Sequence, residues 1–180
     1  WCYTDTLEYK NAGDIIRMLV DVVSKNGNLL LNIGPKGDGS IPETDAQILK
    51  QIGAWLSIHG EAIYASRVWR VSGEGPTKTA EGQFTDLQPP VYQENDFRFT
   101  AKGGAIYVFA MQYPEHGRIL VRSLAKSADQ NVPNFHGLIE DVAVLGEERM
   151  PEWAVDGEGL HIRMQVADRR FPVALRVRVK

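Results

Sequence analysis

Residues 27–39 read GNLLLNIGPKGDG, and the fold turns on how this run is read. Residues 28–33 form an apolar strand candidate that delivers a glycine-rich loop, with an amphipathic segment on each side. A strand apolar on both faces and set between two helices belongs to a parallel α/β sheet or barrel, where helices cover both faces. The expectation is a helix, strand, helix unit that opens inside a larger domain.

The flanking segments carry their own start and stop signals. In residues 14–25 the apolar side chains Ile15, Ile16, Leu19, Val20, Val22 and Val23 recur at helical spacing and make one wide buried stripe. Asn11 is the expected N-cap, accepting from the Asp14 amide, and the acidic Asp14 suits the positive helix end. Gly27 is expected to supply the left-handed residue that stops this helix. Beyond the loop of residues 34–40, Pro42 has the fixed φ of a first helical turn, and Ile48, Leu49, Ile52, Trp55 and Leu56 share one face up to Gly60.

After Ser66 the period changes from helical to two. Leu160, Ile162, Met164 and Val166 alternate with His161, Arg163 and Gln165, and Leu175, Val177 and Val179 repeat the pattern. Residues 105–111 are apolar on both faces and read as a central strand, while residues 119–124 and 139–145 are further strand candidates. Gly103-Gly104 and Asp156-Gly157 are expected to supply positive φ for tight connections, and residues 72–90 read as a long loop. The chain therefore divides into an α/β unit over residues 1–66 and an antiparallel β-sandwich over residues 67–180.

Composition narrows the function. With 43% hydrophobic and 24% charged residues the chain resembles an ordinary globular protein. Its formal charge of -3, without any basic run, argues against nucleic acid, whose phosphates call for concentrated positive charge. The lone Cys2 makes no internal disulfide and no CxxC spacing. No stretch reads as a signal peptide or a spanning segment, so no membrane partner is expected.

Several residues invite chemistry. Gly34 and Gly39 have GxxxxG spacing, but Ser40-Ile41 stands where a phosphate-binding loop needs Lys followed by Ser or Thr, so a tight turn is expected instead of a nucleotide site. The four histidines, His59, His116, His136 and His161, lack a spacing that would gather metal ligands, and neither a metal nor a cofactor is expected. Asp5, Glu8 and Asp38 are the carboxylates nearest the expected strand-end loops, and Asp38, between two glycines, reads as a turn residue. Trp1 and Tyr3 precede the first helix, where a barrel places a loop on its active face, and such aromatics stack on sugars or simply pack.

The run WCYTDTLEYKNAGDIIRMLVDVVSKNGNLLLNIGPKGDGSIP, followed by IGAWLSIHGEAIYAS, resembles the C-terminal end of the catalytic domain in the α-L-fucosidases of glycoside hydrolase family 29. The resemblance is close over residues 1–66 and loose beyond. It implies a (β/α)8-like barrel followed by a β-sandwich, with residues 28–33 as the last barrel strand and residues 42–59 as the helix after it. It implies a retaining exo-hydrolase that removes α-linked L-fucose from glycan ends with an aspartate nucleophile and an acid/base carboxylate. Both of these lie upstream of the WxY segment in the family, so no catalytic residue is carried onto this chain. Trp1 and Tyr3 match the family's WGY, which implies a place lining the fucose pocket, while Cys2 replaces the usual glycine. The implied partners are a fucosylated glycan and the remainder of the catalytic barrel, and the implied location is secreted, periplasmic or lysosomal.

Retention requires two carboxyl groups about 5–5.5 Å apart across one glycosidic bond, so the 180 residues alone are expected to be inactive. Two other classes compete. A carbohydrate-binding sandwich would use Trp69, Tyr92, Tyr113 or Trp153 as a sugar platform, and an interaction protein would offer an apolar face to a partner.

Overall fold

Helix α1 (Ala12–Ser24) starts where the sequence places its cap: the Asn11 side chain accepts from the Asp14 amide at 2.9 Å. Its end differs from expectation. Asn26, at φ 66, takes the left-handed position in place of Gly27, whose amide bonds back to the Val22 carbonyl at 2.9 Å. Asparagine tolerates this conformation better than other side chains do, so the glycine one residue later was the weaker guide. Helix α2 (Glu43–His59) begins directly after Pro42, which is its N-cap and not its first turn, and runs into a 3-10 turn over Gly60–Ala62.

The computed structural model describes residues 3–4, 6–79, 89–127, 135 and 137–180. Its strands are β1 (Arg67–Glu74), β2 (Phe97–Lys102), β3 (Ala105–Ala110), β4 (Arg118–Val121), β5 (Ile139–Val144), β6 (Glu152–Val155), β7 (Leu160–Arg163) and β8 (Val173–Val179). Among the described residues they form two antiparallel sheets, one in the order β1-β2-β3-β8-β5 and one in the order β4-β7-β6. The architecture is thus mixed helix and antiparallel sheet. Gly103 and Gly104, at φ 57 and 77, close the two-residue turn between β2 and β3, as their type requires.

Two apolar cores explain the sequence of β3. Ile106, Val108 and Ala110 join Phe97, Phe99, Val142, Leu175 and Val177 in a core that includes Ile119, Val121, Leu160 and Ile162 of the smaller sheet. The alternate residues Ala105, Tyr107 and Phe109 face the other way and pack with Ile15, Ile16 and Val20 of α1 and Ile52 and Trp55 of α2. A strand covered by a sheet on one side and helices on the other shows no polar alternation. Ile15, Ile16 and Val20 of the α1 stripe, read from the sequence as facing neighbours in an α/β unit, are thus buried on an antiparallel sheet, while Leu19, Val22 and Val23 are half-buried.

Polar bonds tie the layers together. Trp55 Nε1 donates to the Pro172 carbonyl at 2.7 Å, Thr100 Oγ1 to the Ala62 carbonyl at 2.8 Å, and the Tyr107 hydroxyl to Glu61 Oε1 at 2.6 Å. Arg98 of β2 donates from Nε to Asp21 Oδ1 of α1 at 2.5 Å, and both side chains are almost fully buried.

Residues 28–33 depart from the expected barrel strand. They pair with no strand among the described residues, and Leu30 is 93% exposed. Apolar composition records a demand for burial, whereas a strand exists only where a neighbour supplies the ladder, and here none runs beside it. Four smaller readings also change. Residues 72–74 belong to β1 and are not loop, and residues 80–88 of the expected loop lie outside the described set. The strand read over residues 119–124 ends at Val121 and passes into a 3-10 turn over Arg122–Leu124. The alternation at Met164 and Val166 lies beyond β7, because the segment paired with it reverses at Gly117 (φ 66) just before β4. The turn between β6 and β7 is held by the Asp156 carboxylate, which accepts from the Glu158 and Gly159 amides at 2.8 and 3.2 Å; neither Asp156 nor Gly157 has positive φ.

Candidate functional site

The N-terminal segment lies along the glycine-rich loop. The Tyr3 amide donates to the Pro35 carbonyl at 3.5 Å, and Lys36 Nζ stands 5.5 Å from the centre of the half-buried Tyr3 ring. Trp1, Cys2 and Asp5 lie outside the described residues. The loop itself is a closed turn: the Lys36 amide bonds the Ser40 carbonyl and the Gly39 amide bonds the Lys36 carbonyl, each at 2.9 Å, with Gly39 at φ 83. The Asp38 carboxylate accepts from the Ser40 amide at 2.9 Å and the Ser40 hydroxyl at 2.7 Å. These two bonds hold its pKa below the ordinary carboxylate value. The amides of Lys36, Gly39 and Ser40 are spent within the turn, and Asp38 serves as its staple.

Below this loop is a pocket of about 240 Å³ whose walls include Leu7, Ile15, Leu31, Ile33, Ile48 and Leu49. Two carboxylates line it. Glu8 is exposed, while Asp45, in the first turn of α2, is buried and acts electrostatically on Tyr9. Burial, followed by the Asp45 charge, raises the Tyr9 phenol above its ordinary pKa. Nothing in the sequence singles out Asp45, because an acid in a first helical turn looks like a partner for the helix dipole.

The remaining candidates are dispersed. Among the described residues no group of three or more His, Cys, Asp or Glu is placed to hold a metal ion, and no helix is long and apolar enough to cross a membrane. His116 and His161 sit on the surface beside Glu94 and Asp156, at 3.3 and 3.1 Å, and His136 lies outside the described residues. The proposed sugar platform does not form: Tyr92 and Tyr113 are buried, and Trp69 and Trp153 are half-buried against the inter-sheet core. Trp69 meets Phe99 edge-on at 5.1 Å. Side chains chosen from the sequence as exposed aromatics are packing residues here.

His59 is the exception among the histidines. It is 7% exposed, stacks at 5.1 Å on Trp55, and its Nδ1 has no hydrogen-bond partner among the described residues. Burial pushes its pKa down to about 4, against a smaller upward pull from Asp168. A group whose folded pKa is depressed in this way is neutral in the fold, while the unfolded chain takes up the proton near 6.5. The stabilisation is therefore whole above about pH 6.5 and is lost as pH falls towards 4, by on the order of 2–3 kcal/mol. Urea midpoints measured between pH 7 and 4 should fall more steeply for the natural chain than for His59→Phe; parallel profiles would contradict this.

Comparison with known proteins places these elements in a family. The family profile described as alpha-L-fucosidase matches residues 1–61, which span α1, the turn and α2. The tissue alpha-L-fucosidase of Bos taurus is 33% identical over 163 residues, 88% of this chain and 28% of the relative. That of Homo sapiens is 40% identical over 152 residues, 84% of this chain and 27% of the relative. The crystal structure of Thermotoga maritima alpha-fucosidase, solved also in complex with fucose, superposes with a TM-score of 0.71 at 29% identity, covering 98% of this chain and 36% of that one. The chain spans less than a third of the length of the two curated relatives.

Proposed function

This chain belongs to the alpha-L-fucosidase family, and on that premise we propose that it is the C-terminal portion of a retaining exo-hydrolase of glycoside hydrolase family 29 acting on terminal α-linked L-fucose of glycans. The observation that carries the reading is the breadth of the likeness. The family profile stops at residue 61, yet one superposition on a solved alpha-fucosidase takes in 98% of the chain, helices and sheets together.

In this reading residues 1–66 end the catalytic barrel, and residues 28–33 become its closing strand once flanked by neighbours. The helices α1 and α2 cover the barrel on one side and rest on β3 on the other, so residues 67–180 act as a β-sandwich support. Trp1 and Tyr3, which match the family's WGY, are the sugar-binding residues in this proposal. The side-by-side course of Tyr3 and Pro35 supports this, because it holds the N-terminal segment at the glycine-rich end of residues 28–33.

The nucleophile and the acid/base belong to other parts of the enzyme. Near the loop, Asp38 is bound within its turn and Asp45 is buried against Tyr9, so neither is available to attack a sugar or protonate a leaving group. The 180 residues alone are expected to give no release of 4-nitrophenol from 4-nitrophenyl α-L-fucoside above buffer. Turnover that co-elutes with the folded chain on size exclusion would refute this.

A further inference from the structure

Asn26 and Gly27 are the only Asn-Gly pair in the sequence, and both stand exposed at the end of α1. In such a pair the backbone nitrogen reaches the preceding carboxamide most readily, because glycine has no side chain to obstruct the approach. Asparagine is for this reason among the thermolabile residues. The fold nevertheless calls for both members. Asn26 holds the left-handed position at φ 66, which few other side chains tolerate. A Cβ on Gly27 would lie 2.8 Å from Val22 Cγ1 and 3.1 Å from the Val22 carbonyl oxygen, so a larger residue would force the helix end aside. The geometry that closes α1 thus keeps a reactive dipeptide at the surface.

We propose that Asn26 is a covalent modification site, converting to aspartate and isoaspartate, and that the cap of α1 is the gate that sets its rate. In the closed gate the Gly27 N–H donates to the Val22 carbonyl at 2.9 Å and the Asn26 N–H to the Val23 carbonyl at 3.0 Å. The first of these bonds retains the proton that the reaction must remove and holds the nitrogen against the helix end. When the last turn frays, hydroxide takes that proton and the Gly27 nitrogen adds to Asn26 Cγ. A carbon–nitrogen bond forms, the Cγ–Nδ2 bond breaks, and Nδ2 takes a proton from water and leaves as ammonia. The succinimide then takes up one water: cleavage at Cγ gives aspartate, and cleavage at the main-chain carbonyl gives isoaspartate. Neither product restores the cap fully. Each places a new negative charge at the C-terminal end of α1, where the dipole opposes it, and isoaspartate also inserts a carbon between the two bonded amides. The proposal does not depend on the fucosidase reading.

The test incubates the chain in mildly alkaline buffer, folded and in urea, and follows the tryptic peptide of residues 26–36 by fragment mass spectrometry. Asn28 and Asn32 lie on the same peptide before Leu29 and Ile33 and serve as internal controls. Conversion should fall on Asn26 in both states and run about tenfold or more slower in the folded chain, as two cap bonds imply. Hydrogen exchange of the Gly27 amide reads the same opening, so its protection should match that slowing. Val23→Gly, which loosens the last turn and leaves the reacting atoms in place, should lower protection and speed conversion together, by about twofold or more. Asn26→Gly keeps a residue suited to the left-handed position and should leave the peptide unconverted. The proposal is overturned if the folded chain converts as fast as the unfolded one, or if only the unfolded chain converts. It is equally overturned if Asn28 or Asn32 converts as fast as Asn26, or if Val23→Gly lowers protection without changing the rate.

Discussion

Asp21→Ala is expected to destabilise the fold by about 3–5 kcal/mol, because it leaves the Arg98 guanidinium buried without its counter-ion. The two groups join α1 to β2 by the 2.5 Å bond between Arg98 Nε and Asp21 Oδ1. Arg98 also donates to the Phe97 carbonyl at 3.0 Å and lies over the Tyr92 ring at 5.3 Å, so it stays a largely buried charge when the carboxylate is removed. Lys25 reaches the other Asp21 oxygen at 2.7 Å from a more exposed position and can return to solvent. The asymmetry of buried pairs makes the control informative: Asp21→Leu combined with Arg98→Met should cost less than either single change, since both desolvation penalties vanish together. Urea denaturation of the natural chain, Asp21→Ala, Asp21→Leu, Arg98→Met and the double variant measures this. A single-variant loss within about 0.5 kcal/mol, the range of ordinary surface changes, would show that the pair does not hold the layers.

Trp55→Ala is expected to cost about 3–5 kcal/mol for a different reason, the cavity it opens between α2 and the larger sheet. The ring is almost fully buried, lies 6.5 Å from Phe109 and 5.1 Å from His59, and donates to the Pro172 carbonyl just ahead of β8. Trp55→Phe separates packing from the hydrogen bond: it keeps most of the apolar contact and strands the Pro172 carbonyl, for about 1–3 kcal/mol. Denaturation midpoints followed by circular dichroism would check both. Equal losses for the two variants would mean that the ring contributes little packing.

The sequence carried the local features of the fold well and its long-range contacts poorly. The Asn11 cap and the Gly103-Gly104 turn were legible because each depends on residues within one turn of chain. The two-faced apolarity of β3 was legible as a central strand, but not that helices cover one of its faces. Residues 28–33 find no ladder partner among the described residues, because composition reports a need for burial and says nothing of where the partner is. β1 was partly hidden among Ser, Gly and Glu, and the Asp21–Arg98 pair has no sequence signal because nothing in one chain segment announces a partner 77 positions away. At the candidate site Tyr3 could be placed and Trp1 lies outside the described residues, while Asp45 carried no sequence signal at all.

The central claim is that these helices and sheets serve a fucose-releasing hydrolase. The most direct measurement is proton NMR of the natural protein that contains this chain, acting on 4-nitrophenyl α-L-fucoside, with the anomer of the first-formed sugar recorded before mutarotation. The account predicts hydrolysis with α-L-fucose appearing first. A folded protein that releases no fucose, or releases the β-anomer first, would contradict it.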